Sequence, residues 1–164
     1  MANLLSDYKI IDVTPTLSTA EYASGDALFN HIEIPNAVLG NNGCAELINI
    51  TVNSKKAAAT GMTVILMQSS QSMDSVNDPM DITAVEGTAA NFLGHVDFGA
   101  SSSFDMGNYI ISMPTSNSQT KTNTLPMLIQ ADAGSTSIYF TVVILGTVTY
   151  ADGDLTFRFH IKQR

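Results

Sequence analysis

The chain has 164 residues, 45% of them hydrophobic and only 13% charged, and a net charge of −8. A chain of this length buries about two-thirds of its unfolded surface in one domain without metals or disulfides, and a lone cysteine, Cys44, excludes an intrachain bridge and suits a reducing cytosol. The acidic balance argues against nucleic acid and anionic membranes as partners. Neither a signal peptide nor a membrane anchor is expected, because no apolar run approaches bilayer length and the opening residues lack the basic and apolar regions of a signal peptide.

In chain order, Met1 to Tyr8 reads as an N-terminal arm with Leu4 and Leu5 outside any strand, followed by a single domain over residues 9–164. Lys9 to Leu17 is a first strand, and Pro15 assigns it to a sheet edge. A turn at Ser24-Gly25-Asp26 leads into an alternating strand, Ala27 to Ile34; Gly40-Asn41-Asn42-Gly43 is a second turn, since a phosphate loop needs a lysine and a following helix that are missing here. Glu46 to Asn53 and Met62 to Met67 are strands, the latter nearly all apolar. Ser69 to Asp81 is a surface loop.

Thr83 and Glu86 form a capping box for a helix of about two to three turns, with Val85, Ala89, Phe92 and Leu93 on its apolar face and Gly94 closing it. Two further strands, Gly94 to Phe98 and Asn108 to Met113, flank a loop. Thr115 to Thr124 is another loop, and Leu125 to Ala131 another strand.

The last stretch is the most structured in pattern. Thr136 to Tyr150 is a Val/Ile/Thr/Tyr/Phe run, Asp152-Gly153 a hairpin turn signal, and Leu155 to Lys162 a strictly alternating strand. Read as a hairpin, it pairs Tyr150 with Leu155, Val148 with Phe157, Gly146 with Phe159 and Ile144 with Ile161. Leu155, Phe157, Phe159 and Ile161 then face the core, and Thr156, Arg158, His160 and Lys162 form a wet, basic face. About eight to ten short strands and one short helix predict an all-β fold, an antiparallel two-sheet sandwich, jelly-roll-like.

No catalytic, cofactor or metal site is expected. His31, His95 and His160 fall on separate strands, no D-x-D-x-D-G run gathers the oxygens that calcium needs, and no nucleophile elbow, zinc motif or dinucleotide fingerprint occurs. Met73, Met80, Met106 and Met113 offer either an adaptable interface or core filling.

The segments AEYASGDAL (Ala20 to Leu28), IEIPNAVLGNNGCAELINITV (Ile32 to Val52), NFLG (Asn91 to Gly94) and GSTSIYFTVVILGTVTYADGDLTFRF (Gly134 to Phe159) resemble a family of small β-sandwich virion proteins of tailed bacteriophages. The resemblance implies a capsid decoration, or cement, protein that is assembled in the host cytoplasm and sits on the capsid exterior. It further implies a homo-oligomer, trimer or dimer, bound to the major capsid protein. The interface residues expected on this reading are Leu4, Leu5, Tyr8, Arg158 and Lys162. The alternative is a tail-fibre or receptor/carbohydrate-binding module, which exposed Tyr8, Tyr22 and Tyr109 at one end would favour.

Overall fold

The computed structural model describes residues 8–56, 60–114 and 125–163. In chain order the elements are β1 (Tyr8–Val13), β2 (Glu21–Tyr22), β3 (Ala27–Ile34), β4 (Cys44–Ser54), β5 (Met62–Met67), α1 (Ala84–Ala90), β6 (Phe92–Phe98), a 3-10 turn (Ala100–Ser102), β7 (Ser103–Asp105), β8 (Ile110–Ser112), β9 (Met127–Gln130), β10 (Ile138–Ile144), β11 (Val148–Thr149) and β12 (Leu155–Gln163).

Two antiparallel sheets stack on each other. One runs β1-β12-β4-β8-β7, with β9 also paired to β4, and the other runs β3-β10-β5-β6. Taking β1, β3, β4, β5, β6, β9, β10 and β12 as strands 1 to 8, the sheets read 1-8-3-6 and 2-7-4-5. Successive strands therefore change sheet at every step except β5 to β6, and the all-β sandwich is a jelly roll.

This topology overturns the terminal hairpin. β10 pairs with β3 and β5, whereas β12 lies between β1 and β4; Phe157, for example, is opposite Val13 on one side and Val52 on the other. None of the four pairs expected across Asp152-Gly153 forms. The turn itself is present, with Asp154 N donating to Ala151 O and Ala151 N donating to Asp154 Oδ2, but it belongs to a connection that crosses from one sheet to the other. On the way, β11 pairs with β2 at Val148–Tyr22 and Thr149–Glu21. A Cβ on Gly146 would meet Thr60, not Phe159.

Alternation alone determines the inward side of β12. Leu155, Phe157, Phe159 and Ile161 are all buried. They meet β10 across the sandwich instead of along a ladder: the Phe140 ring lies 5.3 Å from Phe157, 4.9 Å from Phe159 and 5.1 Å from Phe29, each edge to face. Such geometry sets the positive ring edge against the negative face of its neighbour, adding to the burial of large rings. Between β3 and β10 the register shifts around Thr141, and there the buried Thr141 hydroxyl donates to Phe29 O at 2.8 Å. A carbonyl at the irregularity thus keeps a partner.

The capping box at Thr83 and Glu86 forms as expected. At seven residues the helix has about two turns, as expected, but it ends before Phe92, because Asn91 takes a left-handed conformation; Phe92 and Leu93 already belong to β6. Its buried side is also different: Ala90 packs with Met67 and Met73, while Val85 is 79% exposed. Three short pieces escaped the pattern reading altogether, namely β2, β7 and the 3-10 turn.

Two tyrosines seal one end of the core. Tyr22 is fully buried, its hydroxyl accepting from Ser18 N at 2.8 Å and donating to Leu28 O at 3.2 Å. Tyr150 lies 6.3 Å from it, ring to ring, and burial pushes its phenol up to about 12. An unfolded tyrosine ionises near ~10, so the buried neutral phenol contributes its full stability below that pH and loses it as pH rises toward the folded value. The urea midpoint is therefore expected to fall between pH 9 and 12, and to fall less steeply in Tyr150→Phe; identical slopes would show that Tyr150 does not control the alkaline limit.

Candidate functional site

The outer face of the six-stranded sheet is built by the residues that alternate with the core positions. β12 turns Thr156, Arg158, His160 and Lys162 outward, as its buried partners require. The ladders then fix what stands beside them: Tyr8 beside Lys162, Lys162 beside Glu46, and Glu46 beside Leu128. One step along are Ile10, His160 and Asn49, with Ile48 bulged out where the register shifts. Beyond them lie Asp12, Arg158 and Thr51, then Thr156, Asn53, Ile111 and Phe104.

Large apolar groups line the two margins of this face. Tyr8 is 64% and Ile10 60% exposed on the β1 edge; Leu128 is 65% and Phe104 68% exposed on the opposite edge. Met106, Tyr109 and Met113 are exposed near Phe104. The loop bearing Ser69 to Asp81, with α1, instead lies over the other sheet, where Met73 fills a small second core with Met67 and Ala90. Apolar side chains gathered at the margins of one sheet face make it a candidate interaction surface.

The centre of the face is polar and internally neutralised. Arg158 donates from Nε and Nη2 to the two carboxylate oxygens of Asp12, each at 2.8 Å, a forked pair that positions both side chains. The guanidinium holds the Asp12 carboxyl below its usual range. Lys162 sits with Nζ 5.6 Å from the centre of the Tyr8 ring. The expected basic patch is therefore a strip of alternating sign: Lys162 and Arg158 against Glu46 and Asp12.

Of the expected interface residues, Tyr8, Arg158 and Lys162 come together on this face. Tyr8 is the first residue of β1, paired with Lys162. Leu4 and Leu5 lie outside the described residues. Asp12, Glu46, Ile10, Leu128 and Phe104 were missed; their outward position is visible in strand alternation, but their neighbourhood depends on pairings between distant segments. The three-tyrosine cluster does not form, since Tyr22 is in the core.

Elsewhere, a shallow cavity of about 360 Å³ lies outside the four-stranded sheet, lined by Thr63, Ile65, Ile82, Phe92, Gly94 and His95. Beside it Thr63 donates to the Asp97 carboxylate at 2.7 Å, and His95 Nε2 is 3.9 Å from the other oxygen. His31 is half-buried under the Ser69 to Asp81 loop, its ring nitrogens within hydrogen-bond distance of Asn30 and Ser70, and burial lowers its pKa. Among the described residues, no three His, Cys, Asp or Glu side chains converge to hold a metal ion, and no helix is long and apolar enough to cross a membrane. The loop carboxylates instead accept backbone N–H groups, Asp74 from Asp81 and Asp154 from Ala151.

No protein-family model, curated protein or solved structure matches the chain.

Proposed function

We propose that the chain is a structural virion protein that decorates and stabilises the outer surface of a tailed-phage capsid through oligomeric contacts with the major capsid protein. The observation that carries this reading is the outer face of the six-stranded sheet, a surface with apolar margins and a neutralised polar centre that the described residues leave exposed. Jelly rolls recur in capsid proteins, and the terminal and central segments resemble the phage family named above. The product of such a protein is adhesion, so it calls for no catalytic centre, cofactor or metal. Area burial supplies modest affinity at each contact, and repetition over the shell multiplies it. An exposed cluster of Tyr8, Tyr22 and Tyr109 would favour a receptor-binding role, and Tyr22 is buried.

Purified protein added to phage shells that lack it is expected to sediment with them and to raise the temperature at which they release their DNA. Protein that stays in the supernatant and leaves the release temperature unchanged would exclude the cement role; binding to host cells instead would move the protein to the tail.

A further inference from the structure

We propose that the outer face of the six-stranded sheet binds the same face of a second copy of this chain, about a two-fold axis that runs along the strands between β12 and β4. This names the oligomeric contact that the decoration reading calls for, although its argument comes from the sheet alone.

The first observation is the order of side chains across one row: Tyr8, Lys162, Glu46, Leu128. The row reads apolar, positive, negative, apolar. Rotation by half a turn about an axis between Lys162 and Glu46 lays each row on its copy in reverse order. Tyr8 then meets Leu128 of the second copy, and Lys162 meets its Glu46. Every contact occurs twice, as a two-fold interface requires. The same rotation sets His160 over Asn49 and Thr156 over Asn53, polar on polar, and brings the β1 margin with Ile10 over the β8 and β9 side.

Charge selects a second copy over an acidic or basic partner. The molecule carries −8 overall, so two copies repel through most of their surface. On this face Lys162 and Arg158 balance Glu46 and Asp12, and repulsion is least where the sign alternates. The Arg158–Asp12 fork stays satisfied when covered, because each partner already holds the other through two bonds. Covering it therefore leaves no unpaired charge.

The area approaches what such a contact needs. Four strand levels at about 4.8 Å and a nine-residue β12 at about 3.4 Å per residue span roughly 600 Å² before side-chain relief is counted. A stable interface takes about 800 Å² from each partner. Two sheets packed face to face at about 10 Å and −30° give the geometry of a sandwich core, here with polar groups and water at its centre.

The test uses the full chain in sedimentation equilibrium. Wild type is expected to dimerise reversibly. Glu46→Lys brings positive charges together across the axis and Lys162→Glu negative ones, so each alone is expected to dissociate at concentrations roughly tenfold higher or more. An equimolar mixture of the two variants restores both opposite-sign contacts between chains while leaving like charges side by side within each chain. Recovery of a dimer in the mixture, as a heterodimer of near wild-type affinity, supports the two-fold face. A wild type that stays monomeric at millimolar concentration, single variants that dimerise like wild type, or a mixture that does not recover would each overturn it. Circular dichroism confirms that the single variants are folded, and Leu128→Glu, at a 65% exposed position, is expected to lose the dimer without any change within the Lys162–Glu46 pair. Shell rebinding with the same proteins separates the two readings: failure of every form, wild type included, rejects decoration and leaves the dimer standing, whereas monomeric wild type that rebinds shells rejects only the dimer.

Discussion

Phe140→Ala is expected to cost about 3–5 kcal/mol of folding free energy. Phe140 is fully buried on β10 and meets Phe29 within its own sheet and Phe157 and Phe159 across the core. Truncation removes three edge-to-face contacts at once and leaves a cavity between two sheets that the remaining rings prop apart. Domains of this size hold about 5–15 kcal/mol in total, so the variant loses a large part of its margin. Phe140→Leu keeps most of the volume and is expected to lose distinctly less. Urea unfolding followed by far-ultraviolet circular dichroism checks both; a loss under about 1 kcal/mol for the alanine variant would mean that the sheets close over the gap.

The same ring shows why the sequence conveyed the faces and not the partners. Period-two alternation in Leu155 to Lys162 assigns each side chain to the inside or the outside, and the structure agrees at every position. Alternation says nothing of which strand lies beside which. Two apolar arms joined by Asp152-Gly153 satisfy the pattern equally well as ladder neighbours or as opposing walls of a sandwich. Topology selected the walls, since β12 obtains its ladders from β1 and β4, more than a hundred residues away in each case. The capping box was legible because its two bonds are local, Thr83 to Glu86 and back; the end of the helix was not, because it depends on Asn91 entering a left-handed conformation.

The candidate site follows the same division. Arg158 and Lys162 could be placed on an outward face from β12 alone. Asp12, which holds Arg158, is separated from it by 146 residues, and Leu128 reaches the row only because β9 adds to β4. The wet, basic face expected of β12 carries its cations, but carboxylates stand beside them: Asp12 of β1 holds Arg158, and Glu46 of β4 is the ladder neighbour of Lys162. Apolar exposure at the margins is legible only once the edges are known.

Gly43→Ala is expected to be the most damaging small substitution, at about 2–3 kcal/mol. A Cβ at Gly43 would stand 2.2 Å from Leu39 O and 2.8 Å from Gly40 O. Both are backbone atoms, so no side chain can swing aside and the turn itself must open. That turn is closed by Gly43 N donating to Gly40 O, and it is tied to the sheet by Ala131 N donating to Gly43 O. Gly40, at φ +71 with nothing within 4 Å of a built Cβ, is the internal control: Gly40→Ala carries only the conformational cost of roughly 1–2 kcal/mol. The distinction reaches the proposed dimer face, because Cys44 to Leu47 pair directly with Gln130 to Met127 and so hold Leu128 in its row. Gly43→Ala is thus expected to lower both the urea midpoint and the dimer affinity, and Gly40→Ala the midpoint alone. Equal midpoints for the two variants would show that the turn relaxes freely; a Gly43→Ala protein that is destabilised yet dimerises normally would mean that β9 keeps its register without the turn.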